Sequence, residues 1–161
     1  MNKTSRNILF LMTVLPWLTI PFIGVKTLKR YIPASLFMVL YLIAEGSYAE
    51  KNKWWWFTTT KKPNFLGEMP LIFGPFLVGS LWILKYTFGN FKLYLLVNLI
   101  IDSIFTYLFT TLFKRMGYAT LVRLKKVELS IVFIVKMLLL YLFQVVYDRY
   151  RKAVSINTNK F

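Results

Sequence analysis

The chain of 161 residues is too apolar for a water-soluble domain of its size, because 57% of its residues are hydrophobic and 19% are aromatic. Soluble domains are about 45–50% apolar. Lysine and arginine number 21 against 6 acidic residues, which gives a formal charge of +15. The sequence contains no cysteine and no histidine, which excludes disulfides, zinc sites of the usual kind and catalysis by a histidine base. We therefore expect a membrane protein with no cofactor and no metal site.

Five apolar runs, each of about 18–23 residues, are the predicted elements. They cover residues 8–25, 31–49, 70–88, 91–113 and 127–147. A helix needs about 20 apolar residues to cross the hydrocarbon core, and none of the runs alternates as a membrane β-strand would. Because backbone polar groups in lipid must pair within their own segment, we expect an all-α integral membrane bundle of about five transmembrane helices. It forms a single domain over residues 1–161.

The first run is the least regular of the five. It contains Pro16 and Pro21, which are expected to kink or break its helix. No small-x-small cleavage site follows it, so we interpret it as an uncleaved span rather than a signal peptide. Four spans plus a re-entrant first segment is the alternative.

The basic residues are unevenly divided between the two sides of this bundle. With the N-terminus inside, residues 1–7, 50–69 and 114–126 together hold 11 lysines and arginines, and the opposite loops and tail hold 7. Cytoplasmic loops carry the excess of basic residues. This rule predicts a cytoplasmic N-terminus.

The connection at 114–126 alternates basic and apolar residues. This composition is typical of a short helix lying on anionic lipid headgroups, and equally of a solvated cytoplasmic loop. The predicted contacts to anionic lipid are Lys114, Arg115, Arg123, Lys125 and Lys126. Nucleic acid is not an expected partner, because no soluble segment is available to carry a basic face.

Three consecutive tryptophans, Trp54, Trp55 and Trp56, follow the second run beside two lysines. Tryptophan favours the membrane–water boundary, where its ring is buried and its N–H stays hydrated. We therefore predict that the three residues anchor the protein at this interface. A stacking platform for a lipid headgroup or a sugar is the alternative.

Two opposite charges lie at the centres of their predicted spans, Asp102 in the fourth run and Lys136 in the fifth. Consecutive helices are antiparallel, so both side chains reach the same depth, about 15 Å from either surface. Each charge alone would cost roughly 2.5–3.5 kcal/mol in the membrane. We predict an ion pair between them, which either fixes the register of the helices or acts as a relay for protons, ions or a polar substrate.

Other polar residues accompany this pair. A stripe of residues spaced four apart occupies one side of the fourth helix, which is expected to face the interior of the bundle. Its members are Asn98, Asp102, Thr106 and Thr110. Gln144 lies on a similar face of the fifth run, and Glu45, about four residues before the end of the second, is expected to face a headgroup or a wet vestibule. Such polar residues are expected to join helices by hydrogen bonds.

The third run contains Gly74-Pro75 and Gly79-Ser80. A mid-helix proline is expected to kink the helix, and glycines allow close helix approach. We interpret the two pairs as packing positions. A broken helix that forms a substrate site is the alternative.

The segment from Gly74 to Trp82, together with the Trp54–Trp56 run, resembles small multi-pass membrane proteins of Gram-positive bacteria. The resemblance covers mainly residues 54–126. It implies a bacterial plasma membrane, and it carries no activity and no site residues with it.

Three functions remain open at this point. The first is a non-catalytic accessory protein that binds lipid, a protein partner or a second copy of itself. The second is an oligomeric transporter or proton/ion pathway that uses Asp102, Lys136 and Glu45. An intramembrane enzyme comes third, because the sequence lacks histidine, cysteine and clustered carboxylates.

Overall fold

A computed structural model describes residues 3–58 and 62–158 and is mainly helical. Its helices are α1 (Lys3–Trp17), α2 (Val25–Asn52), α3 (Asn64–Thr87), α4 (Phe91–Arg115) and α5 (Lys126–Thr158). Two three-residue strands, β1 (Trp55–Phe57) and β2 (Ala119–Leu121), form an antiparallel pair. The predicted all-α class is confirmed, and the four helices α2 to α5 are long and apolar enough to cross a membrane.

The first predicted span differs from the other four. In place of one helix over 8–25, the structure has a 15-residue α1, in which Pro16 is the penultimate residue, and a short 3₁₀ turn that includes Pro21. Fifteen residues of α-helix extend about 22 Å, against about 30 Å of hydrocarbon core. The next helix begins at Val25, so the stretch 26–30 between the first two predicted runs is not a loop. Those residues form the first turns of α2.

Helix α1 packs along α3 and runs in the same direction. A Cβ on Gly74 would lie 2.9 Å from the Met12 carbonyl oxygen and 2.9 Å from the Thr13 Cα, so glycine is required for this approach. Hydrogen bonds continue along the two helices in the same order: Trp17 Nε1 to the Phe73 carbonyl oxygen, Trp82 Nε1 to Thr19 Oγ1, and Lys85 Nζ to the Phe22 carbonyl oxygen. The start of α1 therefore lies at the end of the bundle where α3 begins.

The small sheet closes this same end, which we call the strand end. Trp55 pairs with Leu121 and Phe57 with Ala119, so β1 joins the α2–α3 connection to the α4–α5 connection. Residues 50–69, predicted as a loop, therefore contain the end of α2, β1 and the start of α3, with 59–61 outside the described residues.

The short surface helix proposed for 114–126 is wrong. Helix α4 ends at Arg115, and Gly117 follows in the left-handed region at φ 64°, a common way to terminate a helix. The chain then enters β2, where the backbone groups of residues 119–121 pair with β1 instead of with one another. This sequence is therefore part of the sheet.

Helices α3 and α4 each contain a π-helical segment. In α3 the segment is Ile72–Phe76 and includes Pro75, and in α4 it is Ile104–Phe109. Proline has no N–H to donate, and the expected irregularity at Pro75 takes this π-helical form. The two segments meet through Phe76 and Phe105, whose ring centroids are 5.3 Å apart. Single π turns inside α-helices are frequent at functional sites.

The opposite end of the bundle contains the turn between α3 and α4 at Gly89 and Asn90, and we call it the hairpin end. An ion pair holds two helices together there. Arg30 of α2 pairs with Asp148 of α5. Gln144 lies one turn before Asp148 and donates from Nε2 to its Oδ1 at 2.9 Å. Gln144 thus belongs to this contact, two turns along α5 from Lys136.

Candidate functional site

Lys136 lies inside the bundle and forms an ion pair with Glu45. Its Nζ is 2.7 Å from Glu45 Oε2, and the two side chains are only 8% and 6% exposed. The ring centroid of Phe133 lies 4.6 Å from the same nitrogen. Glu45 is therefore an interior residue, and the prediction that it faces a headgroup or a wet vestibule is wrong.

Asp102 does not form the predicted ion pair with Lys136. It is half-buried, interacts with Lys136 electrostatically, and lines the same cavity. Within the described part of the chain, its carboxylate has no ion pair within 4 Å. Charges at one depth on two helices need not pair, because the rotation of each helix also decides which side chains meet, and the rotation of α2 brings Glu45 to Lys136.

Glu68, which the sequence reasoning assigned to a loop, is a further member of this site. Its residue exposure is 6%, and it interacts electrostatically with both Lys136 and Glu45. Gly46 makes room for it, because a Cβ there would lie 3.1 Å from Glu68 Oε2. This oxygen accepts no hydrogen bond from any described residue. A lone acidic residue just before an apolar run is the sequence feature that could have indicated its interior position.

We call Glu45, Glu68, Asp102 and Lys136 the interior cluster. It draws one residue from each of α2 to α5 and contains three of the six acidic residues in the chain. With every group ionised, three carboxylates and one ammonium leave a net charge of −2. An unpaired charge inside a protein is very costly, so this cluster favours taking up protons or a bound cation.

A cavity of about 400 Å³ between α2 and α5 is lined by Glu45, and two others that adjoin the cluster are lined by Lys136. The smaller of these two, about 60 Å³, lies at the strand end between β1, β2 and Glu68. The larger of these two, about 270 Å³, lies among α2 to α5 and contains Asp102 on its wall. Because Lys136 lines both, the smaller and the larger cavity follow one another from the strand end toward the centre of the bundle.

Three phenylalanines, Phe76, Phe105 and Phe133, stand between the cavities and line both. Their ring centroids are 5.3, 6.1 and 5.4 Å apart, so each ring contacts the other two. We call them the phenylalanine triad. Lys136 Nζ lies beside two of these rings, so the Glu45–Lys136 pair is next to the phenylalanine triad.

The polar stripe of α4 faces inward as predicted. Asn98 and Thr106 are buried, and Asp102 and Thr110 are half-buried. The expected hydrogen bonds to other helices are absent from the described contacts of Asn98 and Thr110. Asn98 Nδ2 donates to the Tyr94 carbonyl oxygen at 2.8 Å, and Thr110 Oγ1 donates to that of Thr106. Polar side chains in helices often bond one turn back in this way.

The glycines of the third run have different roles. Gly74 is a packing position, as predicted. A Cβ on Gly79 would meet no atom within 4 Å, and Gly79 lines the larger cavity, so the packing interpretation is wrong there. The hydroxyl groups of its neighbour Ser80 and of Ser35 are hydrogen-bonded at 2.8 Å and join α3 to α2.

The tryptophans do not all lie at the surface. Trp55 is 9% exposed and lines the smaller cavity, so its anchor role is wrong: alternate residues of a strand face opposite sides, and Trp55 faces inward with Phe57. Trp54 and Trp56 are half-buried. Tyr118, beneath β1, donates from its hydroxyl to the Gly67 carbonyl oxygen at 2.5 Å. Burial raises the pKa of this phenol, which keeps it a donor.

The basic residues of 114–126 divide into two groups. Lys114, Arg115, Arg123 and Lys125 are exposed at the strand end. Lys126 is half-buried, and its Nζ donates to Thr111 Oγ1 at 2.9 Å. Four of the five predicted lipid contacts are therefore accessible.

Within the described residues no group of three or more acidic side chains is arranged to hold a metal ion. Comparisons with protein-family models, curated proteins and solved structures gave no match.

Proposed function

We propose that the chain is an integral protein of a bacterial plasma membrane with its N-terminus in the cytoplasm. The four long apolar helices support a membrane location. The start of α1 and the connections joined by β1 and β2 share the strand end, and the sequence places 11 basic residues in those segments. The strand end is then the cytoplasmic end.

Within this bundle we propose a pathway for protons. The observation that carries the proposal is the interior cluster, in which one carboxylate pairs with the buried Lys136 and two more, from two other helices, interact with it electrostatically. Carboxylates that cannot all be ionised in an apolar interior exchange protons readily, and intramembrane carboxylate chains serve as proton relays. The cluster binds a proton at Glu68 or Asp102 while the Glu45–Lys136 pair stays intact.

The proton's route in this relay runs through the smaller cavity and then the larger one. A proton from the strand end reaches Glu68 through the smaller cavity, which is large enough for water. Lys136 carries it past the phenylalanine triad: the ammonium gives a proton to Asp102 in the larger cavity, the neutral amine then takes the incoming proton from Glu68, and the pair with Glu45 forms again. The other ionisable neighbours are the phenols of Tyr41 beside Glu45 and Tyr94 beside Asp102.

Proton flux into liposomes tests this function. The purified protein is reconstituted into vesicles loaded with a pH-sensitive dye, and a potassium diffusion potential drives protons inward. Wild type is expected to acidify the lumen, and Asp102→Asn and Glu68→Gln are each expected to lower the rate at least tenfold.

Glu128→Gln is the matched control. Glu128 is exposed and accepts a hydrogen bond from the Lys125 backbone N–H, a bond that a glutamine oxygen also accepts. This variant is expected to conduct like wild type. Flux equal to that of protein-free vesicles, or equal flux in all the variants, would refute the pathway.

A second candidate is the non-catalytic accessory protein that binds anionic lipid, a partner protein or another copy. The exposed basic residues Lys114, Arg115, Arg123 and Lys125 favour it, since each basic residue near an anionic surface contributes about 1 kcal/mol. Replacing these four by glutamine is expected to abolish a preference for anionic lipid. The same variant keeps its proton flux if the pathway is the function.

A further inference from the structure

The larger cavity is mostly apolar. Helices α2 to α5 all contribute to its walls, and its volume is about 270 Å³. An apolar cavity of about 150 Å³ already holds benzene, so this one has room for a ring and a small substituent. Ile101 lines it and is 44% exposed, so this side chain contacts both the cavity and the surroundings of the bundle.

The uncompensated charge on its wall is negative. Lys136 is held by Glu45 at 2.7 Å and is also close to Glu68. Asp102 also lines the cavity and interacts with Lys136 electrostatically, but it forms no ion pair within 4 Å among the described residues. Asn98 and Ser80, the neutral polar residues of the wall, already donate within the protein. A ligand therefore meets one free carboxylate.

The remaining wall is suited to a cation with an apolar body. The rings of Trp82 and of the phenylalanine triad line the cavity, and aromatic faces attract cations. A hydrated metal ion gains little from such a wall, and the described carboxylates do not form a metal-binding group. An anion would add to the excess negative charge of the interior cluster.

We propose that the larger cavity binds a small organic ammonium cation with an apolar or aromatic body, its ammonium group against Asp102. This inference rests on the proposed proton pathway only in that the ligand binds at a residue of that pathway, Asp102. While the cation is bound, it occupies the place of the proton at Asp102 and stops the relay there.

Calorimetric titration of the detergent-purified protein tests the proposal directly. Benzyltrimethylammonium is the probe, tetramethylammonium lacks the apolar body, and benzenesulfonate reverses the charge. Wild type is expected to bind benzyltrimethylammonium at least tenfold more tightly than either of the other two.

Two variants change the cavity in independent ways. Asp102→Asn removes the charge at nearly constant shape and is expected to weaken binding at least tenfold. Gly79→Leu leaves every charge in place and fills open space, because a Cβ at this position touches nothing, and it is expected to abolish binding. Gly79→Ala, which fills much less of the cavity, is its control and is expected to retain most of the affinity.

Each contrary outcome has a distinct meaning. Absence of benzyltrimethylammonium binding, equal binding by Asp102→Asn, or tighter binding of benzenesulfonate would overturn the cation site. Equal binding of tetramethylammonium would show that the ligand does not need an apolar body. If the cation binds as expected but no proton flux is found in vesicles, the pathway fails and the site stands. If protons flow and the cation does not bind, the cation site fails and the proton pathway stands.

Discussion

At the scale of single residues, the pairing of Lys136 depends on where each carboxylate can reach. Asp102 and Lys136 line the same cavity, yet Lys136 pairs with Glu45 at 2.7 Å and Asp102 does not form the pair. Which carboxylate reaches a buried lysine depends on helix rotation and on close approach at positions such as Gly46. Neither can be obtained from hydropathy. The inward face of α4 could be predicted because its four-residue spacing is a local property of the chain.

The Glu45–Lys136 pair predicts a characteristic mutational pattern. Glu45→Gln or Lys136→Gln alone leaves an unpaired group in the interior and is expected to cost about 3–5 kcal/mol in stability. The double variant removes both charges and is expected to recover most of that loss. Thermal unfolding in detergent measures all three. Additive losses in the double variant would show that the two residues do not interact.

At the scale of elements, the sequence predicted the long helices better than their ends and connections. The run at 91–113 matches α4 to within two residues, and the run at 70–88 matches the end of α3 but begins six residues late, because about 20 apolar residues are a strong signal for a span and a weaker one for its ends. The first run corresponds to a shorter apolar helix that packs on α3, and such a helix has the same composition as a span. The strands β1 and β2 were missed since their pairing joins residues more than 60 positions apart, and three residues carry no periodic signal.

The contact between α1 and α3 depends on Gly74. A leucine there would meet the α1 backbone, so Gly74→Leu is expected to cost about 1–3 kcal/mol, as overpacked sites do, and to loosen α1. Gly79→Leu, five residues along the same helix, is the control and is expected to unfold at or above the wild-type temperature. Thermal unfolding in detergent compares the two. Equal melting temperatures would contradict the described packing of α1.

At the scale of the whole molecule, the arrangement fixes which segments share a side of the membrane. The sequence has no cysteine, so single cysteines can be labelled without background. Val122→Cys at the strand end is expected to react with an impermeant thiol reagent only after the cells are opened. Phe91→Cys at the hairpin end is expected to react in intact cells. Both positions are exposed and uncharged, and labelling of both from one side would contradict this topology.

The proton pathway unites the four helices, the interior cluster and the two cavities, and the reversal potential of a reconstituted bilayer tests it most directly. With a pH difference across the bilayer and otherwise identical salt, a current carried by protons through Asp102 and Glu68 reverses near the proton equilibrium potential, about 59 mV per pH unit. The account predicts this shift for wild type and for Glu128→Gln, and its loss in Asp102→Asn. A wild-type current that reverses at zero voltage, or no current at all, would contradict it.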